Sequence, residues 1–210
     1  MARPETDQIR GLAMGVVGLG LQATARHEEA LSVKEAELAT LRRVGASEEN
    51  ILGTQSNLAT TYEKLGRVDQ ALLLKRDVYY GLSRINGDLH AKTFLAAFNY
   101  ANSLERLKRF REAKKLLRKT IPMARRTLGD SNPDTLRMRW LYAMLLYDDA
   151  NASLDDQREA VGTLEEIEPI ARRVLGGAHP VTEGIEGDLR KAQAGLRTRE
   201  TPPPGSSQIL

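Results

Sequence analysis

The chain of 210 residues contains no cysteine, and only 5% of its residues are aromatic. Without cysteine it can form no disulfide, thiolate metal site or catalytic thiol, which is compatible with the cytoplasm as its expected location. Neither sign of charge dominates, because the chain contains 31 Lys and Arg residues and 28 Asp and Glu residues. Interleaved charges are typical of solvated helical surfaces, and this composition argues against a nucleic-acid partner. Strand-like alternation is also missing, which favours an all-α protein.

The sequence also lacks a hydrophobic run long enough to cross a membrane, which needs about 20 apolar residues. The most apolar stretch, residues 9–21, contains four glycines and is therefore expected to form the weakest helix. Two interpretations stay open for it. One is a secretory signal cleaved after Ala25. The other, which we favour, is the first helix of a repeat, since Leu21 lies 41 residues before Tyr62.

An internal repeat of helical pairs is the main feature that is present. An alanine recurs at the start of a second helix, at spacings of 41, 42 and 47 residues: Ala30, Ala71, Ala113 and Ala160. A small residue recurs in the first helix at Ala59, Ala101 and Ala143. The longest spacing reflects an acidic insertion at 148–156. Because one amphipathic helix pair cannot bury its apolar face alone, we expect the copies to stack on their neighbours.

The units resemble tetratricopeptide repeats (TPRs), through residues at the offsets of Leu58, Ala59, Tyr62, Gly66 and Ala71. The unit of 41–42 residues and the linker 175–182, which reads LGGAHPVT, are similar to the kinesin light chain type. The resemblance covers roughly residues 9–198. It implies an all-α, right-handed TPR-type superhelical solenoid of about four helix–turn–helix repeats plus a C-terminal capping helix.

The expected boundaries follow from glycine and proline at the breaks between units. They are a frayed N-terminus at 1–8, a solenoid at 9–198 and a disordered Pro-rich tail at 199–210. Within the solenoid we expect repeats at 9–45, 49–87, 93–130 and 134–177, and the capping helix at 182–198.

The resemblance further implies that the first helices line a concave groove that binds extended peptides. In that family an asparagine just before the Leu-Ala pair often bonds the peptide backbone. Asn57 and Asn99 match this position, whereas Val16 and Leu141 stand there in repeats one and four. The chain therefore offers at most two such asparagines.

Helical spacing extends this set to one stripe on each first helix, because residues one turn apart share a face. The candidate groove residues are Asn57, Thr60, Lys64, Asn99, Asn102, Arg106, Trp140 and Met144. Amides suit a peptide backbone, Trp140 or Met144 would form an apolar pocket, and Arg106 would pair with a carboxylate. The competing interpretation places Trp140 in the core and the asparagines between helices, and treats the cations as solvated charge.

Residues that carry chemistry are scarce. His27, His90 and His179 are far apart, and the last two occupy equivalent linkers, which is a structural explanation for their recurrence. No glycine motif of a phosphate-binding loop is present. We therefore predict no catalytic residue, no metal and no cofactor. One basic stripe, Lys114 to Arg126 in the second helix of repeat three, is a weak nucleic-acid signal.

The expected function is a non-enzymatic scaffold that holds a peptide or partner protein in its concave groove. We expect a cytoplasmic monomer without a small-molecule substrate or a membrane partner. Two alternatives stay open: a regulatory TPR domain of a larger multidomain protein, and a fragment of a motor cargo adaptor. A nucleic-acid-associated helical repeat is less favoured.

Overall fold

The computed structural model describes residues 4–200, of which residues 4–8, 10 and 12 are described by their backbone only. Within this range the chain forms nine α-helices and no strand. The helices are α1 (Pro4–Ala23), α2 (His27–Arg43), α3 (Glu48–Lys64), α4 (Val68–Asn86), α5 (Ala91–Arg106), α6 (Phe110–Leu128), α7 (Pro133–Tyr147), α8 (Leu154–Leu175) and α9 (Pro180–Glu200). The predicted all-α fold of four helix pairs and a terminal helix is confirmed.

Two compact units divide the chain, the first ending at Ser103 and the second beginning at Leu104. In the first unit α1 packs against α2, α2 against α3, and α3 against α4. In the second unit α6 packs against α7, α7 against α8, and α8 against α9, which also contacts α7. Within each unit, helices that follow one another along the chain therefore pack together, as expected for stacked repeats.

The small residues that mark the repeat lie where helices approach closely. The alanines of the second helices are completely buried: Ala30, Ala71, Ala113 and Ala160. The same holds for the alanines of the first helices: Ala59, Ala101 and Ala143. A larger side chain at these positions would push the helices apart, since protein interiors are close-packed. The register predicted from sequence is therefore the register of the core.

The linkers between repeats combine a helix stop with a helix start. Helices α6 and α8 are followed by the capping residues Gly129 and Gly176, whose φ angles of 90° and 92° favour glycine. The residue immediately before the next helix caps that helix with its side chain. The Nδ1 atoms of His90 and His179 accept hydrogen bonds from the backbone N–H of Lys92 (3.2 Å) and Val181 (3.1 Å). Asn132 does the same for Asp134. Capping explains why histidine recurs in the linkers.

The ends of the fold differ from the predicted boundaries. Helix α1 begins at Pro4, inside the segment expected to be frayed, because proline is preorganised for the first position of a helix. Helix α9 extends to Glu200, which pairs with Arg158 of α8 at 3.0 Å, so the expected tail does not begin at residue 199. Residues 1–3 and 201–210, where the rest of these two predictions falls, lie outside the described residues.

Helix α1 turns Gly15 and Gly18 toward α2 and exposes several aliphatic side chains: Ile9, Val16, Val17 and Leu19. A Cβ atom on Gly18 would come within 3.0 Å of the Lys34 side chain, and one on Gly15 within 3.1 Å of Glu37. By contrast, Val16 is 72% exposed. Two of the glycines that weaken this helix, Gly15 and Gly18, thus allow its close approach to α2. None of the described helices combines the length and apolarity needed to cross a membrane.

Candidate functional site

An open cleft of about 300 Å³ lies between α3, α4 and α5 in the first unit. Aliphatic side chains line it from all three helices: Leu52, Val78, Leu82, Leu95 and Ala96. Polar groups join them at Ser56, Asn57 and Asn99, and charged groups at Glu49 and Lys92. The volume is at the lower end of the range of ligand pockets, and the mixture of apolar lining with a few polar groups is typical of them.

Two of the predicted groove residues, Asn57 and Asn99, come together in this cleft. Asn57 is exposed on α3 and Asn99 is half-buried on α5. Within the described part of the chain, neither side-chain amide makes a hydrogen bond to another residue. Each amide therefore keeps a donor and an acceptor for a molecule in the cleft.

An ion pair stands in the same cleft and connects α3 with α5. The ammonium of Lys92 contacts the carboxylate of the half-buried Glu49. The hydrogen bond and charge of Lys92 hold the pKa of Glu49 below its ordinary value. Because these two are the charged residues of the lining, the cleft carries no net charge.

A second cleft, of about 420 Å³, adjoins the first and shares Glu49, Gly53, Asn57 and Lys92 with it. Its remaining lining comes from α1, α2 and α3 and includes Glu37. This carboxylate is 9% exposed and accepts a hydrogen bond from Thr54 at 3.1 Å. Burial raises the pKa of Glu37. The second cleft is the more polar of the two, because its lining has fewer aliphatic side chains.

Two buried lysines support the helices that form the clefts. The Nζ atom of Lys34 contacts Gln22 of α1 and donates to the Thr61 hydroxyl (2.9 Å) and the Asn57 carbonyl (3.3 Å) of α3. Lys75 of α4, at the equivalent position, pairs with Glu63 at 2.7 Å. Burial lowers the pKa of Lys34. Lys34 of α2 thus connects α1 and α3, and it contacts the backbone of Asn57, which lines both clefts.

The other candidates on α3 and α5 lie outside the lining of the cleft. Thr60 donates its hydroxyl hydrogen to the Ser56 carbonyl at 3.2 Å, and Lys64 is exposed at the last turn of α3. Asn102 is half-buried. Arg106 is exposed at the end of α5 and belongs to the second unit. The structure therefore divides the predicted stripe and brings only its two asparagines at 57 and 99 into the cleft.

The two candidates on α7 lie in the second unit. The indole Nε1 of Trp140 donates to Asp188 of α9 at 2.8 Å. A Cβ atom on Gly184 would come within 2.4 Å of the indole ring, so the ring packs directly on α9. Met144 is half-buried nearby on the same helix. Both the apolar body and the polar atom of Trp140 are thus used in the α7–α9 contact, which favours its interpretation as a packing residue.

Sequence reasoning missed the lysines, the ion pair and Gly53. A signal for the lysines was available, because Lys34 and Lys75 follow Ala30 and Ala71 by four residues. For Gly53 the signal was a glycine in the middle of an otherwise regular helix. The sequence carried no signal for the Lys92–Glu49 pair, since the two residues are 43 positions apart and lie on different helices.

Two weaker signals of the sequence were a possible metal site and the basic stripe of α6. In the described range no group of three or more histidine or acidic side chains is placed to hold a metal ion. The basic stripe of α6 is engaged by neighbouring acids: Lys114 pairs with Asp149 at 2.9 Å, and Arg125 pairs with Asp130 at 2.5 Å.

Comparison with known proteins supports the repeat assignment. A tetratricopeptide repeat family matches residues 99–134. No curated protein matches the chain significantly. Two solved structures of nearly identical TPR-like repeats, from a Podosopora anserina protein assigned as a kinesin light chain, give TM-scores of 0.75 and 0.74 at 20% identity, each covering 95% of this chain and 91% of that one. BtubC (BKLC) from P. vanneervenii gives a TM-score of 0.61 at 15% identity, over 94% of this chain and 85% of its own.

These comparisons agree with the geometry of the helices and confirm the resemblance inferred from the sequence. The similarity to the solved structures extends over nearly the whole chain, although few residues are identical. Residues 99–134 match the tetratricopeptide repeat family, and the chain has an all-α fold similar to that of the TPR-like repeats in these solved structures.

Proposed function

We propose that this chain is a non-enzymatic scaffold that binds an extended segment of a partner protein in the cleft between α3 and α5. The observation that carries the proposal is the pair of cleft asparagines, Asn57 and Asn99, whose amides make no hydrogen bond within the described residues. An extended backbone presents alternating N–H and C=O groups, and one amide side chain pairs with both. The aliphatic lining adds surface that a bound segment would bury.

The proposal assigns no chemical step to the site. The ionisable residues of the cleft, Glu49 and Lys92, neutralise each other, and its other polar groups are amides and a serine hydroxyl. Such groups hold and orient a chain. The proposal also includes a cytoplasmic location and a monomeric state, which cell fractionation and light scattering of the purified protein would test.

The decisive test removes both amides together. We expect Asn57→Ala with Asn99→Ala to weaken binding of an extended peptide by about tenfold or more, because each lost hydrogen bond contributes on the order of 1 kcal/mol. Binding would be measured by fluorescence anisotropy against a panel of synthetic extended peptides. The melting temperature should change little, since neither amide bonds within the described protein.

A matched control is Gln70→Ala, which removes an exposed amide from α4 outside the cleft. It should leave both binding and melting temperature unchanged. If the double variant binds the same peptides as tightly as the parent protein does, the cleft is not the binding site.

A further inference from the structure

We infer, on the basis of the proposed function, that the cleft selects an uncharged peptide segment carrying one large apolar side chain. Two features set this preference: Gly53, which keeps the cleft open, and the Glu49–Lys92 pair, which neutralises it.

Neither the backbone conformation nor the packing around Gly53 requires a glycine at this position. It lies in the middle of α3, where glycine is less favourable than alanine, and its φ is not left-handed. A Cβ atom there would meet no other atom within 4 Å. By contrast, a Cβ atom on Gly81 would come within 2.7 Å of Leu52. Because Gly53 lines both clefts, its missing side chain leaves space where a ligand would lie.

The size and lining of the first cleft suit one large side chain. Its volume of about 300 Å³ is about twice the 150 Å³ of an apolar cavity that holds a benzene molecule. Leu52 and Leu82 are buried at its wall, while Leu95 remains 43% exposed and would lose water contact when the cleft fills. An aromatic or branched aliphatic side chain therefore fits, with its backbone beside Asn57 and Asn99.

The ion pair determines what can flank that side chain. An acidic residue of the ligand would have to displace Glu49 from Lys92, and a basic residue would have to displace Lys92 from Glu49. In either case one ion pair replaces another, and the released partner is left without its counter-charge. Charged flanks therefore bring no gain, and the complementary segment is neutral.

The test uses short fluorescent peptides with central Trp, Leu or Ala and with Ser/Asn, Asp/Glu or Lys/Arg flanks. The neutral Trp or Leu peptide should bind about tenfold or more tightly than the neutral Ala peptide, and no less tightly than either charged series. Gly53→Leu should lower this affinity by about tenfold while the melting temperature stays equal or rises. Gly162→Leu on α8, where a Cβ also meets open space, should raise stability without any loss of binding.

A switch of flank preference tests the ion pair separately. Glu49→Gln should release Lys92 and make the acidic-flanked peptides the tightest series, and Lys92→Gln should do the same for the basic-flanked ones. If peptides bind but the central residue, Gly53→Leu and both charge variants make no difference, this inference is wrong and the scaffold proposal stands. If no peptide of any series binds, both are overturned.

Discussion

The negative charge of Asp148 destabilises the folded protein. It caps the C-terminus of α7, where its backbone N–H donates to the Met144 carbonyl at 2.9 Å. The negative end of the helix dipole disfavours a carboxylate at that position. Loss of hydration is the largest cause that raises the pKa of Asp148, and the nearby carboxylate of Asp188 is the next, although Lys108 opposes both. The folded protein therefore binds a proton at Asp148 more readily than the unfolded chain does.

We predict that Asp148→Asn raises the melting temperature at neutral pH, because it removes the disfavoured charge. A raised folded-state pKa means that Asp148 costs stability above that pKa and that protonation relieves the cost as the pH falls. The advantage of the variant should therefore shrink on mild acidification. Thermal unfolding followed by circular dichroism from neutral to acidic pH would measure both effects.

The control for this prediction is Asp155→Asn, the same change at a carboxylate that is 92% exposed in the first turn of α8. There the helix dipole favours the charge, so the variant should be unchanged or slightly less stable. A lower melting temperature for Asp148→Asn at neutral pH would contradict the assignment of Asp148 as a destabilising charge.

Single residues were predictable where their role repeats along the chain. Ala71 and its equivalents could be placed in the core from spacing alone, and so could the positions of Asn57 and Asn99 on the first helices. The burial of Lys34 was not predicted, although Lys75 repeats its position, because a lysine on a helix is ordinarily solvated. Its burial depends on Thr61, which lies on another helix and is not visible as its partner in the sequence.

At the scale of the helices, α2 and α4 are each held by one buried lysine. Lys34 is 1% exposed and Lys75 is 6% exposed, whereas the equivalent positions on α6 and α8 hold Leu117 and Leu164. The carboxylate of Glu63 pairs with Lys75 and also accepts from Ser103 of α5 at 2.7 Å. A polar contact thus replaces an aliphatic one in the first unit, and it connects α3, α4 and α5.

We predict that Lys75→Met lowers the free energy of unfolding by about 3 kcal/mol, because it removes the buried cation that pairs with the half-buried Glu63 carboxylate. Adding Glu63→Gln should recover most of this loss, since the pair is then removed together. Urea denaturation of the two single variants and the double variant would give the coupling free energy.

A suitable control is Lys115→Met, the same substitution at an exposed position on α6. It should change the unfolding free energy by less than about 0.5 kcal/mol. Additive effects of Lys75→Met and Glu63→Gln would show that the pair does not act as a unit.

The helices themselves were predicted from apolar spacing and from the stops between them, and their ends were less accurate. The start of α1 at Pro4 was not predicted. The exposure of its aliphatic side chains was not predicted either, since a run of aliphatic residues is expected to face inward. In the structure Gly15 and Gly18 face Glu37 and Lys34 instead. Close approach of two helices decided the orientation, and that depends on tertiary contacts.

For the molecule as a whole, the number of helix pairs followed from the spacing of the repeat. The cleft did not, because Leu52, Val78 and Leu95 come from three different helices. Spacing along one helix shows which residues share a face and gives no information on the space between faces. The sequence therefore predicted the two asparagines of the cleft lining, Asn57 and Asn99, and did not predict the apolar surface between them.

The distribution of charge over the molecule leads to a last prediction, that the chain does not bind nucleic acid. The formal net charge is +3, and nucleic-acid affinity requires several cations that are free to neutralise phosphates. On α6, Lys114 and Arg125 are paired with acids, and Arg118 donates to the Tyr142 hydroxyl at 2.7 Å and lies 3.7 Å from Glu159. Fluorescence anisotropy with a labelled DNA duplex and a labelled single-stranded RNA at low salt should show no binding. Binding that falls steeply as salt is added would contradict the prediction, and its loss in Lys115→Gln with Arg126→Gln would locate the site on α6.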